Sequence, residues 1–176
     1  ILIDRVNKKH QVYKIGYTVR SIHEDRNRNF WIGTEGGGLL LFNRKDGTYK
    51  RYTTADGLPN NSILRILEDS KGNLWFSSYN GLSKFNTVTK TCRNFLQSDG
   101  LQSSQFSFNA GLRLSSGEFL FGGIKGFNIF YPDSVYDNKE TAPVFLTSLK
   151  VNNISIEEDS SYVTKRNFEN TEHIRV

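Results

Sequence analysis

Apolar residues in this chain come in short runs rich in β-branched and aromatic side chains, and each run ends in Gly, Asn or Asp. The clearest stretch begins with Ile63-Leu64-Arg65-Ile66-Leu67, followed by the polar Asp69-Ser70-Lys71-Gly72-Asn73. Leu74-Trp75-Phe76-Ser77-Ser78 comes next, then Asn80-Gly81, Leu82 to Asn86, a polar connection, and Thr91 to Phe95. Runs of this length bounded by turn formers predict β-strands, and four in succession predict an antiparallel meander. Asn80-Gly81 predicts a type I′ hairpin, whose two central residues both need positive φ. Helical periodicity is nearly absent.

The same arrangement recurs. Ser21 to Asp25, Phe30-Trp31-Ile32-Gly33-Thr34, Gly38 to Asn43, Tyr52 and Asp56-Gly57-Leu58 precede a second copy with Trp75, Gly81 to Asn86, Phe95 and Asp99-Gly100-Leu101. Trp31 and Trp75 stand 44 positions apart, and Asp56 and Asp99 stand 43 apart. A third copy, Gly117 to Gly123 and Gly126 to Phe130, follows the second by 45 (Gly72 to Gly117) and lacks both the Glu-Asp pair and the Trp. Repeats of about 40–50 residues made of four short strands are the mark of β-propeller blades. The expected fold is therefore all-β: a partial propeller of about three four-stranded antiparallel blades.

Repetition assigns Trp31 and Trp75 to wedges between neighbouring blades, with Leu120 in the third equivalent slot. In the Asp-Gly-Leu triplets, Gly supplies open backbone angles, Asp bonds nearby amides and Leu plugs the blade interface, which makes them connectors. Residues 1–18 are expected to be outer strands of a preceding blade, 19–55 and 56–98 two blades, and 99–137 the last blade without its fourth strand. An open arc exposes blade faces and strand edges, so other blades of a parent protein, or other copies of the chain, are the expected partners.

Among the 176 residues, 36% are hydrophobic and no apolar run approaches the length of a membrane span, so no direct membrane insertion and no signal peptide are expected. The net charge of +5 comes from Lys and Arg scattered among acids, without the basic stripe that nucleic-acid binding requires. The single Cys92 allows no internal disulfide. Without any Met, and opening on Ile1, the chain reads as a segment from the middle of a longer protein.

The search for catalytic chemistry yields no catalytic residue, metal site or cofactor. Glu24-Asp25 and Glu68-Asp69 sit where turn caps are needed, and adjacent strand residues point to opposite faces. His10, His23 and His173 lack zinc-ligand spacing, and His23 reads as a surface residue. Gly33 to Gly38 lacks the Lys and following helix of a phosphate loop and reads as a hairpin. A glycan-acting propeller enzyme of sialidase or lyase type and a plain interaction propeller remain the alternatives. In a meander blade, the turn between second and third strands and the connector between blades share one rim. That rim carries Glu35, Tyr79, Asn80, Gln105 and Lys125, while Arg20, Arg65 and Asn109 begin inner strands beside the central channel. Aromatic faces with amides, Arg and carboxylates suit a carbohydrate.

The run Ile66 to Phe76 followed by Asn80-Gly81-Leu82 closely resembles the two-component regulator propeller repeat, and Ile22 to Asp25 with Phe30 to Thr34 resembles it again. Ala142 to Asn153 looks like the first strand of the triple-tyrosine sandwich that follows the last blade in that family, so the resemblance implies that the partial propeller is followed by the first strand or strands of a β-sandwich, with 138–176 a linker and the sandwich start. The resemblance implies a fragment of the periplasmic sensor region of a hybrid two-component histidine kinase, of the kind common in Bacteroides-type bacteria. It also implies an oligosaccharide ligand, a signal relayed across the inner membrane, and no catalysis in this segment.

Overall fold

Among the described residues, the apolar runs of the repeats fold as strands, and successive strands pair in sequence order. A computed structural model describes residues 2–3, 10–135, 150–151 and 154–155. The chain divides into two units, 1–136 and 137–176. In the first unit, β1 (Leu2–Ile3) and β2 (His10–Gln11) pair antiparallel, Leu2 opposite Gln11. The same register recurs 39 residues later, where Leu41 lies opposite Lys50. Strands β3 (Thr18–Glu24), β4 (Phe30–Glu35), β5 (Leu39–Phe42) and β6 (Tyr49–Tyr52) form a four-stranded meander. A second meander contains β7 (Ile63–Glu68), β8 (Leu74–Ser78), β9 (Gly81–Phe85) and β10 (Cys92–Phe95). β11 (Phe106–Arg113), β12 (Phe119–Gly123) and β13 (Gly126–Phe130) form the third sheet, which has three strands. The architecture is the all-β partial propeller that the repeat predicts.

Strand alternation sorts the side chains of the second sheet onto two buried faces. Ile63, Ile66, Leu74, Phe76 and Phe85 pack with Trp31, Leu39, Tyr52 and Leu58 of the preceding repeat. Leu64, Leu67, Trp75, Leu82 and Phe95 pack with Phe106, Phe119 and Phe121 of the following sheet. All five residues of β8 are buried. The tryptophans are therefore wedges, each contributing about 2–3 kcal/mol of apolar transfer. Trp31 meets Phe85 of the next sheet at 5.7 Å, and Trp75 meets Phe130 at 5.1 Å. Leu120 takes the corresponding place in the third sheet and is half-buried.

Each Trp is oriented by a carboxylate. Asp25 accepts from the amides of Asn27 (2.9 Å) and Asn29 (2.8 Å), from Asn29 Nδ2 (2.9 Å) and from Trp31 Nε1 (2.8 Å). Asp69 repeats the set with the amides of Lys71 and Asn73, Asn73 Nδ2 and Trp75 Nε1. In the third sheet all three side-chain partners change together, to Leu114, Glu118 and Leu120, while the backbone bond across the turn persists (Leu114 N to Glu118 O, 2.8 Å). The turn survives without its cage because the cage serves the indole.

The Asp-Gly-Leu connectors act as expected. Asp56 Oδ2 accepts from the Thr53 amide (2.8 Å), and Asp99 Oδ2 from the Leu96 amide (2.7 Å). Gly57 and Gly100 follow with φ of 92° and 94°. Leu58 fills the first interface and Leu101 packs against the second. The hairpin expectation fails. Tyr79 and Asn80, the loop residues of the β8–β9 hairpin, do not adopt positive φ; Gly81 does, at 96°. The turn is therefore not type I′. A left-handed glycine following two ordinary loop residues fits a type I turn closed by a glycine bulge. The strand path demands that glycine, since a Cβ there would stand 2.3 Å from Phe95 O.

In the second unit, β14 (Lys150–Val151) pairs with β15 (Ile154–Ser155). The rest of the expected triple-tyrosine strand, 142–153, and the tail beyond Ser155 lie outside the described residues.

Candidate functional site

The first strands of the three sheets adjoin one another. Ile66 N donates to Ser21 Oγ (3.0 Å), and Arg65 Nε donates to Gly111 O (3.0 Å). Gly111 permits this approach, because a Cβ there would stand 2.7 Å from Arg65 Cγ. All three strands bulge near their starts: between Val19 and Ser21, between Ile63 and Arg65, and between Phe106 and Gly111. Bulges re-aim side chains and gather next to functional sites.

Four of the eight residues singled out from sequence meet here. Arg20 Nε donates to Glu35 Oε2 (2.8 Å), with Nη2 on the same oxygen. Arg65 Nη1 donates to Asn109 Oδ1 (3.2 Å). Arg20 and Arg65 are not repeat equivalents, since the residue aligned with Arg20 is the buried Leu64. The link between the two pairs is Phe108, which the sequence analysis passed over. The Arg20 guanidinium lies 4.9 Å from the centroid of its ring, so residues of the first and third repeats touch directly.

The other four lie outside this network. Lys125 donates its amide to Gln102 Oε1 (2.8 Å), and the Gln105 carbonyl accepts from Gln102 Nε2 (3.2 Å), so Gln102 gathers both. Asn80 Nδ2 reaches Pro59 O (3.2 Å) and ties the β8–β9 hairpin to the connector. Tyr79 is exposed on the same hairpin.

A signal for Phe108 was present in the spacing. The repeat offset changes from 43 (Asp56 to Asp99) to 45 (Gly72 to Gly117), and the register locates the two additional residues. Phe106 pairs with Gly123 as Ile63 pairs with Ser78, and Gly111 pairs with Phe121 as Ile66 pairs with Phe76. Ser107 to Ala110 thus occupy the space held by Leu64 and Arg65 one blade earlier.

Away from this site, the carboxylates have structural partners. Glu68 accepts from Arg26 Nε (2.8 Å) and lies 3.4 Å from His23 Nε2, so His23 belongs to the blade interface and is not a plain surface residue. Burial alone raises the Asp25 pKa, but hydrogen bonds from Trp31, Asn29 and the turn amides outweigh it and hold the carboxyl below its ordinary range. Burial pushes the Cys92 thiol up to about 11, so it is protonated at neutral pH. Among the described residues no group of three or more His, Cys, Asp or Glu could hold a metal ion, and no helix is long and apolar enough to cross a membrane.

These features define a β-propeller segment whose inner strands gather guanidinium, amide and aromatic groups, with the Glu35 carboxylate of β4 beside them. The chain carries two repeats of the two-component regulator propeller, at residues 14–36 and 57–80. It is 35% identical to Histidine kinase P4 of Formosa agariphila over 142 residues, which is 80% of this chain and 10% of that kinase. Among solved structures it resembles the extracellular domain assigned to the hybrid two-component system BT3049 of B. thetaiotaomicron, with 28% identity and a TM-score of 0.65. That match covers 79% of this chain and 20% of the solved one. The extracellular domain of BT4673 from the same organism shares the fold, with 22% identity, a TM-score of 0.53, and coverage of 68% and 16%. The chain thus spans about a tenth to a fifth of the relatives it matches.

Proposed function

We propose that this chain belongs to the periplasmic ligand-sensing domain of a hybrid two-component sensor histidine kinase. The domain recognises an oligosaccharide and relays its binding across the membrane. The segment binds and does not cleave. The observation that carries the reading is the network Glu35–Arg20–Phe108 and Asn109–Arg65, which joins inner strands of three repeats into one surface. A ligand touching all three strands favours one relative placement of the blades over another, and differential affinity of this kind is what a sensor requires. Tyr79, Asn80, Gln105 and Lys125 extend the surface along the rim. The likeness to a histidine kinase and to an extracellular domain assigned to a hybrid two-component system supports the reading. Following the blades, a triple-tyrosine sandwich would be the coupling element.

The test is an oligosaccharide array probed with the intact protein, read beside a reducing-sugar release assay. The reading expects retention of at least one saccharide without release of reducing ends. Retention of none, or cleavage of the retained saccharide, would overturn it.

A further inference from the structure

Extra residues in one copy of a repeat often mark the face that binds, because the scaffold is complete without them. The last blade carries such an insertion, two residues in its innermost strand. The inserted segment departs from its counterparts in three ways. Asn109 takes φ of 54°, a left-handed conformation that β-strand residues avoid and that Asn tolerates at a cost. Phe108 is 52% exposed, whereas Phe106, which begins the strand, is buried. Both inserted-segment side chains meet guanidinium groups, Phe108 that of Arg20 and Asn109 that of Arg65.

The charges at this surface are unequal. Arg20 is matched by Glu35. The oxygens that receive Arg65 are neutral, the Gly111 carbonyl and the Asn109 amide, and no carboxylate pairs with it among the described residues. Arg65 thus has no counter-charge among the described residues, and the residue that receives it, Asn109, is the chain neighbour of the exposed Phe108. Arg65 and Phe108 fit a ligand with an apolar ring face and an attached anion, since Arg favours planar carboxylates and an aromatic ring stacks on a pyranose face.

We infer that the Ser107–Ala110 bulge is a ligand-contacting element that selects a carboxylate-bearing saccharide, a uronate, with Phe108 under the sugar ring and Arg65, aimed by Asn109, on the carboxylate. This deepens the sensor reading and rests on it. The left-handed backbone at Asn109 adjoins the exposed Phe108, while the Asn109 amide oxygen orients Arg65.

The experiment uses the intact protein on an array of uronate-bearing oligosaccharides and their carboxyl-reduced, neutral counterparts, followed by calorimetric titration of the best binder. Binding of a uronate and loss of binding on carboxyl reduction are expected. Phe108→Ala should weaken it about tenfold, the equivalent of about 1.4 kcal/mol. Asn109→Gly, which keeps the left-handed backbone, should weaken it severalfold, and both variants should unfold at the parent temperature. Binding of neutral saccharides in preference to uronates, or unchanged affinity in both variants, would overturn this inference and leave the sensor reading intact. Binding of no saccharide at all would overturn both.

Discussion

Four donors converge on a single carboxylate at Asp25 and again at Asp69, and each set includes the indole N–H of the wedge six residues on. Removing that acceptor strands buried donors, so Asp69→Ala should cost about 3 kcal/mol in denaturant unfolding, and a loss below about 0.5 kcal/mol would show that the cage is dispensable. Asp25 adds a pH dependence. Its folded pKa lies below the ordinary value of 3.8, so its stabilisation is complete above that pH and is lost as pH falls through the folded value. Melting temperature should therefore drop on acidification below about pH 4, and Asp25→Asn should flatten part of that drop. Tyr52 gives the opposite sign. Its hydroxyl is buried without a hydrogen-bond partner among the described residues, and the sister position holds Phe95. Tyr52→Phe should leave stability unchanged or raise it by up to about 1 kcal/mol; a clear loss would mean the hydroxyl has a partner. Sequence marked these aspartates as turn caps but did not reveal the Asp–Trp bond, because alternation in a strand says nothing about where an indole N–H points. The joint replacement by Leu114, Glu118 and Leu120 was the readable sign of it.

At the scale of elements, strand positions were legible because turn formers bound the runs and because the second sheet, buried on both faces, reads as unbroken apolar stretches, as β8 illustrates. The hairpin after it was misread, since a glycine after Asn occurs in more than one turn and only φ separates them. Two left-handed glycines make this testable. At Gly81 a Cβ would meet Phe95 O at 2.3 Å, whereas at Gly100, with nearly the same φ, nothing lies within 4 Å. Gly100→Ala should cost about 1–2 kcal/mol from backbone conformation alone, and Gly81→Ala clearly more. Equal losses in thermal unfolding would mean that the β9–β10 approach yields easily. The inner-strand bulge was only half legible. Spacing betrayed two extra residues, but the left-handed backbone at Asn109 and the exposure of its neighbour Phe108 are properties of the bulged strand, which repeat alignment does not describe.

At the scale of the whole molecule, the repeat predicts what covers its own ends. Ile22 is 55% exposed, yet its equivalent Ile66 is 2% exposed because the preceding sheet packs on it. Val19 and Ile63 differ in the same way, and a hollow of about 450 Å³ lined by Val12, Val19, Ile22 and Ile32 marks that face of the first sheet. We expect another blade to cover this face in the intact protein. Ile22→Asp should then destabilise the intact protein by about 3 kcal/mol, as a buried charge does, whereas an open face would register at most about 0.5 kcal/mol. The central claim is that repeated aromatics are scaffold while the irregular inner strands recognise the ligand. Hydrogen–deuterium exchange of the intact protein, with and without its tightest-binding saccharide, tests this most directly. Slowed exchange at 18–21, 63–65 and 107–111, with the Trp31 and Trp75 turns unchanged, is the result expected; slowing confined to those turns or to the outer strands would contradict it.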